Sequence, residues 1–280
     1  MKAAYYICLM QKIKYCLFIF SFLIFITSCS DYQKVLKSPN PEYKYERAVE
    51  YYEAEEYYKA LPLLDELIPL YKGTNKGEKI YFYWCYTNYH LDYLITASYH
   101  FKKYAKTYPN SKLAEEALFM GAYCNYIDSP SPTLDQTPTV MAINELQIFI
   151  NTFPKSELLD SANALIDELE LKLETKDFLN SKQYYVTRRY KSAIIALNNT
   201  IRAYPNSEYV EEMHLLILKS YYELAINSVE DKKEDRFKRG IDVYYNFIDN
   251  FAESKKLNEA EIIYTKLVKA QQEHLKEKEK

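Results

Sequence analysis

The residues able to do chemistry are few and scattered. Histidine occurs four times, as His90, His100, His214 and His274. No two of them stand in the H-x-x-x-H spacing that sets two imidazoles on one helical face for a metal. Glycine also occurs only four times. That is too few for a loop whose backbone N–H groups cradle a phosphate, and no Gly-x-Ser-x-Gly turn presents a nucleophile. The carboxylates run in blocks, residues 50–56 and 167–174, which reads as solvated helix faces rather than an acid–base pair. No metal site, catalytic site or cofactor is expected. Thiols remain, and the five cysteines fit neither a disulfide framework nor a zinc spacing. Cys85 and Cys124 each sit among aromatic residues on an expected helix, either as two buried thiols or as a pair. The cysteine with a reaction in reach is Cys29.

Cys29 closes a recognisable leader. The first 28 residues carry Lys2, Lys12 and Lys14 and no acid, and an apolar run follows over 15–26. That run is shorter than the ~20 residues a membrane span needs. It ends in Ile26-Thr27-Ser28-Cys29, which resembles the signal and lipobox of bacterial lipoproteins. The resemblance implies cleavage before Cys29 and a covalent diacylglycerol and N-acyl lipid on that residue. Several acyl chains hold a protein to a bilayer at ~0.8 kcal/mol per buried CH₂, without any spanning helix. The full chain has 36 basic and 39 acidic residues, net −3. Removing the leader takes away three lysines and makes the remainder more acidic. This excludes a typical nucleic-acid binder, which carries a basic face.

What, then, would position an interaction surface? The segment "RAYPNSEYVEEM" echoes "KTYPNSKLAEEA" upstream, and "NTFPKSELLDSA" and "DNFAESKKLNEA" are looser copies. Aligned on Pro109, Pro154, Pro205 and Ala252, they place a small residue twelve positions earlier: Ala97, Ala142, Ala193 and Gly240. Bulky residues follow four positions on, at Phe101, Leu146, Leu197 and Tyr244. Three further stand Tyr104, Phe149, Thr200 and Phe247. That spacing marks one face of a helix. The residue before proline disfavours the helical region, so each helix stops there. Ser111, Ser156, Ser207 and Ser254 then serve as N-caps, with acids nearby for the helix dipole. A further copy upstream has Ala48, Tyr51 and Ala60, then Leu64 and Leu67, with Pro62 expected early in its second helix.

The pattern resembles a tetratricopeptide array, in which a helix pair carries small residues at positions 8 and 20 and a proline near 32. The expected fold is all-α: a right-handed α-solenoid of about five such pairs after the lipoprotein signal. Helices are expected at about 42–54 with 57–71, 77–92 with 95–107, 112–127 with 138–153, 156–185 with 188–204, and 207–228 with 234–251. A last helix runs from about 255. The chain is thus read as signal 1–28, tether 29–41, N-terminal repeats 42–155, C-terminal repeats 156–272 and a charged, fraying tail 273–280. Tyrosine is unusually common, at 31 of 280 residues. These rings are first of all packing, and some are expected on a surface that takes extended peptides.

A lipoprotein with five such pairs resembles the BamD-type family of outer-membrane assembly lipoproteins. The stretch "SKQYYVTRRYKSAIIALNNTIRAYPNS" is similar to that family's Tyr-Tyr-x-x-Arg…Tyr-x-Ala-Ala…Tyr-Pro-x-Ser pattern. Here it is supplied by Tyr184, Tyr185, Arg188, Tyr190, Ala193, Tyr204, Pro205 and Ser207. Ser192 stands where the family usually has alanine, and "YFYWCYTNYH" is unusually aromatic. "LDQTPT" looks like the family's acidic loop, within an insertion at 127–139. The resemblance implies a non-catalytic scaffold lipid-anchored to the outer membrane and facing the periplasm. It further implies two partners: a BamA-like β-barrel subunit, bound through its POTRA domain at Arg188 with Tyr184 and Tyr185, and unfolded outer-membrane precursors. The repeat and lipobox alone also fit another cell-envelope adaptor lipoprotein, peptidoglycan-linked or part of secretion or gliding machinery.

Overall fold

The computed structural model describes residues 31–278. Cys29 and the leader lie outside the described residues. Among the described residues, eleven helices follow one another from Pro41 on: α1 (Pro41–Glu53), α2 (Tyr57–Leu70), α3 (Asn75–His90), α4 (Leu94–Thr107), α5 (Ala114–Asp128), α6 (Thr137–Thr152), α7 (Leu159–Val186), α8 (Tyr190–Ala203), α9 (Val210–Ile226), α10 (Glu230–Asn250) and α11 (Leu257–Lys278). No strand occurs among the described residues. The all-α repeat fold read from the sequence is the one observed.

The chain divides into two compact units. The first runs to Asp128 and takes in Met141–Asn163, and the second holds Ser129–Val140 and everything from Ala164. In the first unit each helix from α1 to α5 packs on the next, and α1 also touches α3. In the second, α8 through α11 do the same, and α9 touches α11. Contact between neighbours and between first helices of successive pairs is the packing of a repeat array.

The small residues explain the close approach. Ala48, Ala60, Ala97, Ala142 and Ala193 are fully buried, as are Phe101, Leu146, Leu197, Tyr104 and Phe149 below them. Helices stop two residues before Pro109, Pro154, Pro205 and Ala252, at Thr107, Thr152, Ala203 and Asn250, within one residue of the expected ends. Asn250 stops without a proline two residues on, so the turn has other supports.

Those supports differ from simple N-caps. Ser111, Ser156, Ser207 and Ser254 stand three residues ahead of their helices. Each Oγ accepts the N–H two residues on, at 3.1, 3.0, 3.0 and 2.8 Å. Three of these hydroxyls also donate to a glutamate at the start of the preceding repeat: Ser111 to Glu78, Ser156 to Glu115 and Ser254 to Glu211. One hydroxyl thus closes its own turn and ties it to a neighbour, with a charged acceptor that makes the bond stronger than a neutral one.

Other segments depart from expectation. Residues 31–36, within the expected tether, are helical. Val35 there is 1% exposed and joins the first core cluster, and the Tyr32 hydroxyl donates to the Lys59 carbonyl at 3.3 Å. The tail stays helical to Lys278 and buries His274. Its spacing explains this: Ala260, Ile263, Leu267 and His274 form one buried stripe beneath charged neighbours. Pro62 is the sixth residue of α2, past the first turn, so the Tyr58 carbonyl lacks its helical donor. Cys85 and Cys124 are both free and buried. The 127–139 insertion is a loop at 129–136, held through Gln136, whose Nε2 donates to the Ser131 and Leu134 carbonyls at 2.8 and 3.1 Å.

Candidate functional surfaces

The hairpin between α7 and α8 carries Arg188. The α7 helix ends in a left-handed residue: Arg188 has φ +59°. Its N–H donates to the Tyr185 carbonyl at 2.9 Å, and the Arg189 N–H donates to the Tyr184 carbonyl at 2.8 Å. These two bonds close the helix end around an αL residue, the place where glycine is usual. The same pair of bonds closes α1–α2 at Glu55 (φ +59°) and α3–α4 at Asp92 (φ +60°). Any of several residue types would therefore serve the backbone at 188.

The Arg188 guanidinium is exposed and makes no ion pair among the described residues. With Arg189, Tyr190, Glu223 and Ile226 it lines a shallow cleft of ≈790 Å³. Tyr190 is held in its neutral form chiefly by burial and by Glu223, while Arg188 pulls its pKa the other way. Tyr185 is half-buried against the Phe178–Leu197 cluster, its ring 5.9 Å from that of Tyr190. Burial is also the main cause that raises its hydroxyl pKa, with Glu223 and Glu259 adding to it. Tyr184 is 40% exposed. Of the three residues read from the motif, Arg188 lines the cleft. Tyr184 and Tyr185 hold the hairpin through their carbonyls, and Tyr185 packs beneath it.

A second surface belongs to the first unit. Rings from α1, the start of α2, α3 and α5 meet in a continuous series. Tyr52 lies 4.7 Å from Tyr83, and Tyr57 stacks on His90 at 4.3 Å. Tyr86 lies 6.1 Å from His90, Tyr89 lies 6.5 Å from Tyr123, and Tyr123 stacks on Tyr126 at 5.7 Å. Most of these rings are only half-buried. The "YFYWCYTNYH" segment supplies the middle of the series, so its composition was the available signal. The histidines serve packing here: burial holds the pKa of both His90 and His100 below the ordinary value, and His100 Nδ1 shares a 2.7 Å hydrogen bond with Tyr81. A third feature, a cleft where α8, α9 and α10 meet, had no sequence signal because its residues are spread over 191–239.

Among the described residues no three His, Cys, Asp or Glu side chains converge as a metal site. Nor is any helix there long and apolar enough to cross a membrane. No curated protein matches the chain. The profile of a family described as YfiO, outer membrane lipoprotein, matches residues 38–237, which spans α1 through α9 and the start of α10. The chain belongs to this family of outer membrane lipoproteins.

Proposed function

We propose that the chain is a non-catalytic scaffold of the outer-membrane β-barrel assembly machinery. In this reading acyl chains on Cys29 hold it to the outer membrane, facing the periplasm. A BamA-like barrel subunit docks through a POTRA domain at the Arg188 hairpin, and unfolded precursors engage the aromatic face of the first unit. Family membership supports the setting. The observation that carries the docking role is Arg188 itself: an unpaired, exposed arginine at a helix-hairpin tip whose backbone does not need it. Such a charge at an interface rim acts on a partner carboxylate, where it sets orientation and encounter rate. Half-buried rings present large area at low entropic cost, which suits precursor segments that end in an aromatic residue.

The test is co-purification of the full-length lipoprotein from solubilised envelopes. Arg188→Glu is expected to lose most of the barrel subunit, Arg189→Glu to lose less, and a charge swap on the partner to restore binding. Undiminished recovery with Arg188→Glu, in a protein shown to be helical by circular dichroism, sinks the docking role. Recovery of wild type with a different envelope complex and no barrel subunit points instead to another adaptor lipoprotein. The anchor has its own readout: Cys29→Ala is expected to abolish metabolic palmitate labelling, and continued labelling removes Cys29 as the acylated residue.

A further inference from the structure

The cleft on the second unit where α8, α9 and the first half of α10 meet is not called on by the proposed function. It measures ≈490 Å³. Ile194 is buried at its base and Leu224 half-buried, while Ile195 stands 56% exposed at its side. Isolated exposed aliphatics are common, but this one is set in a concavity with cations around it.

Most of the charges there are already engaged. Arg239 pairs with Asp235 at 2.9 Å. Arg236 donates to the Ser228 hydroxyl and to the Leu224 carbonyl. Asp231 lies in the first turn of α10, where the helix dipole favours an acid. Lys191 and Lys232 are left, both exposed and neither with a carboxylate partner. Two free ammonium groups thus flank an apolar recess in a chain of net charge −3. The depth order matters, because Ile194 and Leu224 are less exposed than the two free lysines, with Ile195 at the rim. An occupant must therefore insert an aliphatic or aromatic group beneath its own negative charges. Free phosphate presents charge without that group, and a bilayer lipid keeps its acyl chains in the membrane, whereas an acidic peptide with an apolar residue among its carboxylates presents both.

We infer that this cleft seats a short acidic, apolar-anchored segment of a partner polypeptide, with carboxylates on Lys191 and Lys232 and an apolar side chain on Ile195 and Leu224. Lys191 and Leu224 also border the Arg188 cleft, so the decisive variants are Lys232→Glu and Ile195→Ser, which do not touch it.

The experiment uses the full-length protein in detergent and a fluorescein-labelled peptide of alternating glutamate and leucine, read by anisotropy at low salt. Saturable binding is expected. Lys232→Glu and Ile195→Ser should each weaken it about tenfold, a change of about 1.4 kcal/mol. A lysine–leucine peptide should not compete. Equal binding of the lysine–leucine peptide, unchanged affinity in both variants, or no saturable binding overturns the inference. Displacement by inorganic phosphate or by phosphatidylglycerol vesicles, but not by unlabelled acidic peptide, overturns it in favour of an anion or a lipid surface. Both variants should keep the barrel subunit in co-purification. Loss of the subunit in Arg188→Glu with peptide binding intact separates this site from the proposed docking site.

Discussion

The two units fill one repeat pattern with different matter. The first packs rings: Tyr51, Phe82, Trp84, Phe101 and Tyr104 are all buried in its core. The second packs mostly aliphatics, with Ile194, Leu197, Leu215, Leu216, Ile217 and Leu218 around Phe178, Phe237 and Phe247. Rings with polar tips need partners when buried. In the first unit Trp84 donates to Asp65, Tyr86 to Glu116, and Tyr104 to Glu78 at 3.1 Å. Both units nevertheless keep the same small residues and the same serine–glutamate closure. The repeat therefore fixes where backbones approach and where turns are tied, and leaves the identity of the filling free. What differs is tolerance: a core built on polar-tipped rings has more interactions to lose.

The largest expected effect uses two of the three buried helical glycines, one from each unit. A Cβ at Gly77 in the first unit would lie 2.0 Å from the Tyr71 carbonyl oxygen. That carbonyl is held by the Thr74 hydroxyl at 2.7 Å and the Thr74 N–H at 3.1 Å. Backbone fixed this way cannot give, so Gly77→Ala is expected to cost more than about 2 kcal/mol. At Gly240 in the second unit the nearest atoms are Leu267 methyls at 3.0 and 3.1 Å. A side chain can shift by a few tenths of an ångström, and alanine gains up to ~1 kcal/mol of helix propensity over glycine. Gly240→Ala is expected to stay within about 1 kcal/mol of wild type. Urea midpoints measure both, and equal losses would mean that the two glycines are not distinguished by what they face.

A smaller effect follows from the rings and thiols. In the first unit burial raises the pKa of Tyr52, Tyr81, Tyr86 and Tyr104. It also pushes the Cys124 thiol from an ordinary 9.0 up to about 12, with Glu145 adding to it, and raises Cys85 well above its ordinary value. In the second unit Tyr204 is pushed up to about 12, by burial and then by Asp177. All these groups are neutral when protonated, and the folded chain keeps the proton that the unfolded chain gives up. Their contribution is therefore complete below about pH 9 and falls as pH rises from 9 towards 12. Because the first unit holds more of them, it is expected to open first on alkaline titration. Hydrogen exchange at stepped pH, alongside tyrosinate absorbance, reads this. Loss of α8–α11 protection before α1–α5 would contradict it.

Much of the array was legible because it is carried by local signals. A small residue, two bulky ones at helical spacing and a helix stop need only neighbours in sequence to act, so α3 and α4 were expected at about 77–92 and 95–107 and lie at 75–90 and 94–107. The serines were legible as turn residues. Their second role was not, because Glu115 and Ser156 are 41 residues apart and only the stacking of repeats joins them. Burial of the C-terminal helix was hidden by charge, since one buried residue per turn suffices to dock it. The left-handed hairpin residues were hidden for another reason. Asparagine, aspartate and glycine favour that conformation; Asp92 follows the rule, but Glu55 and Arg188 carry no such preference, so "TRRY" does not announce its turn.

That exception supplies the smallest and most discriminating test. Glu55, Asp92 and Arg188 hold the same backbone conformation, closed by the same two hydrogen bonds. Glycine at any of them removes left-handed strain, against a modest entropic cost, and is expected to stabilise by about 0.5–1 kcal/mol. Thermal midpoints should therefore rise slightly in Glu55→Gly and Arg188→Gly alike. Binding should divide them. If Arg188 is kept for a partner, Arg188→Gly gains stability and loses co-purification of the barrel subunit, whereas Glu55→Gly gains stability and keeps it. A weaker fold in Arg188→Gly would show that the guanidinium supports the hairpin after all, and its exposure would then say nothing about docking. A more stable Arg188→Gly protein with full binding would leave the arginine no role at that tip and would move the search for the docking surface elsewhere on the repeats.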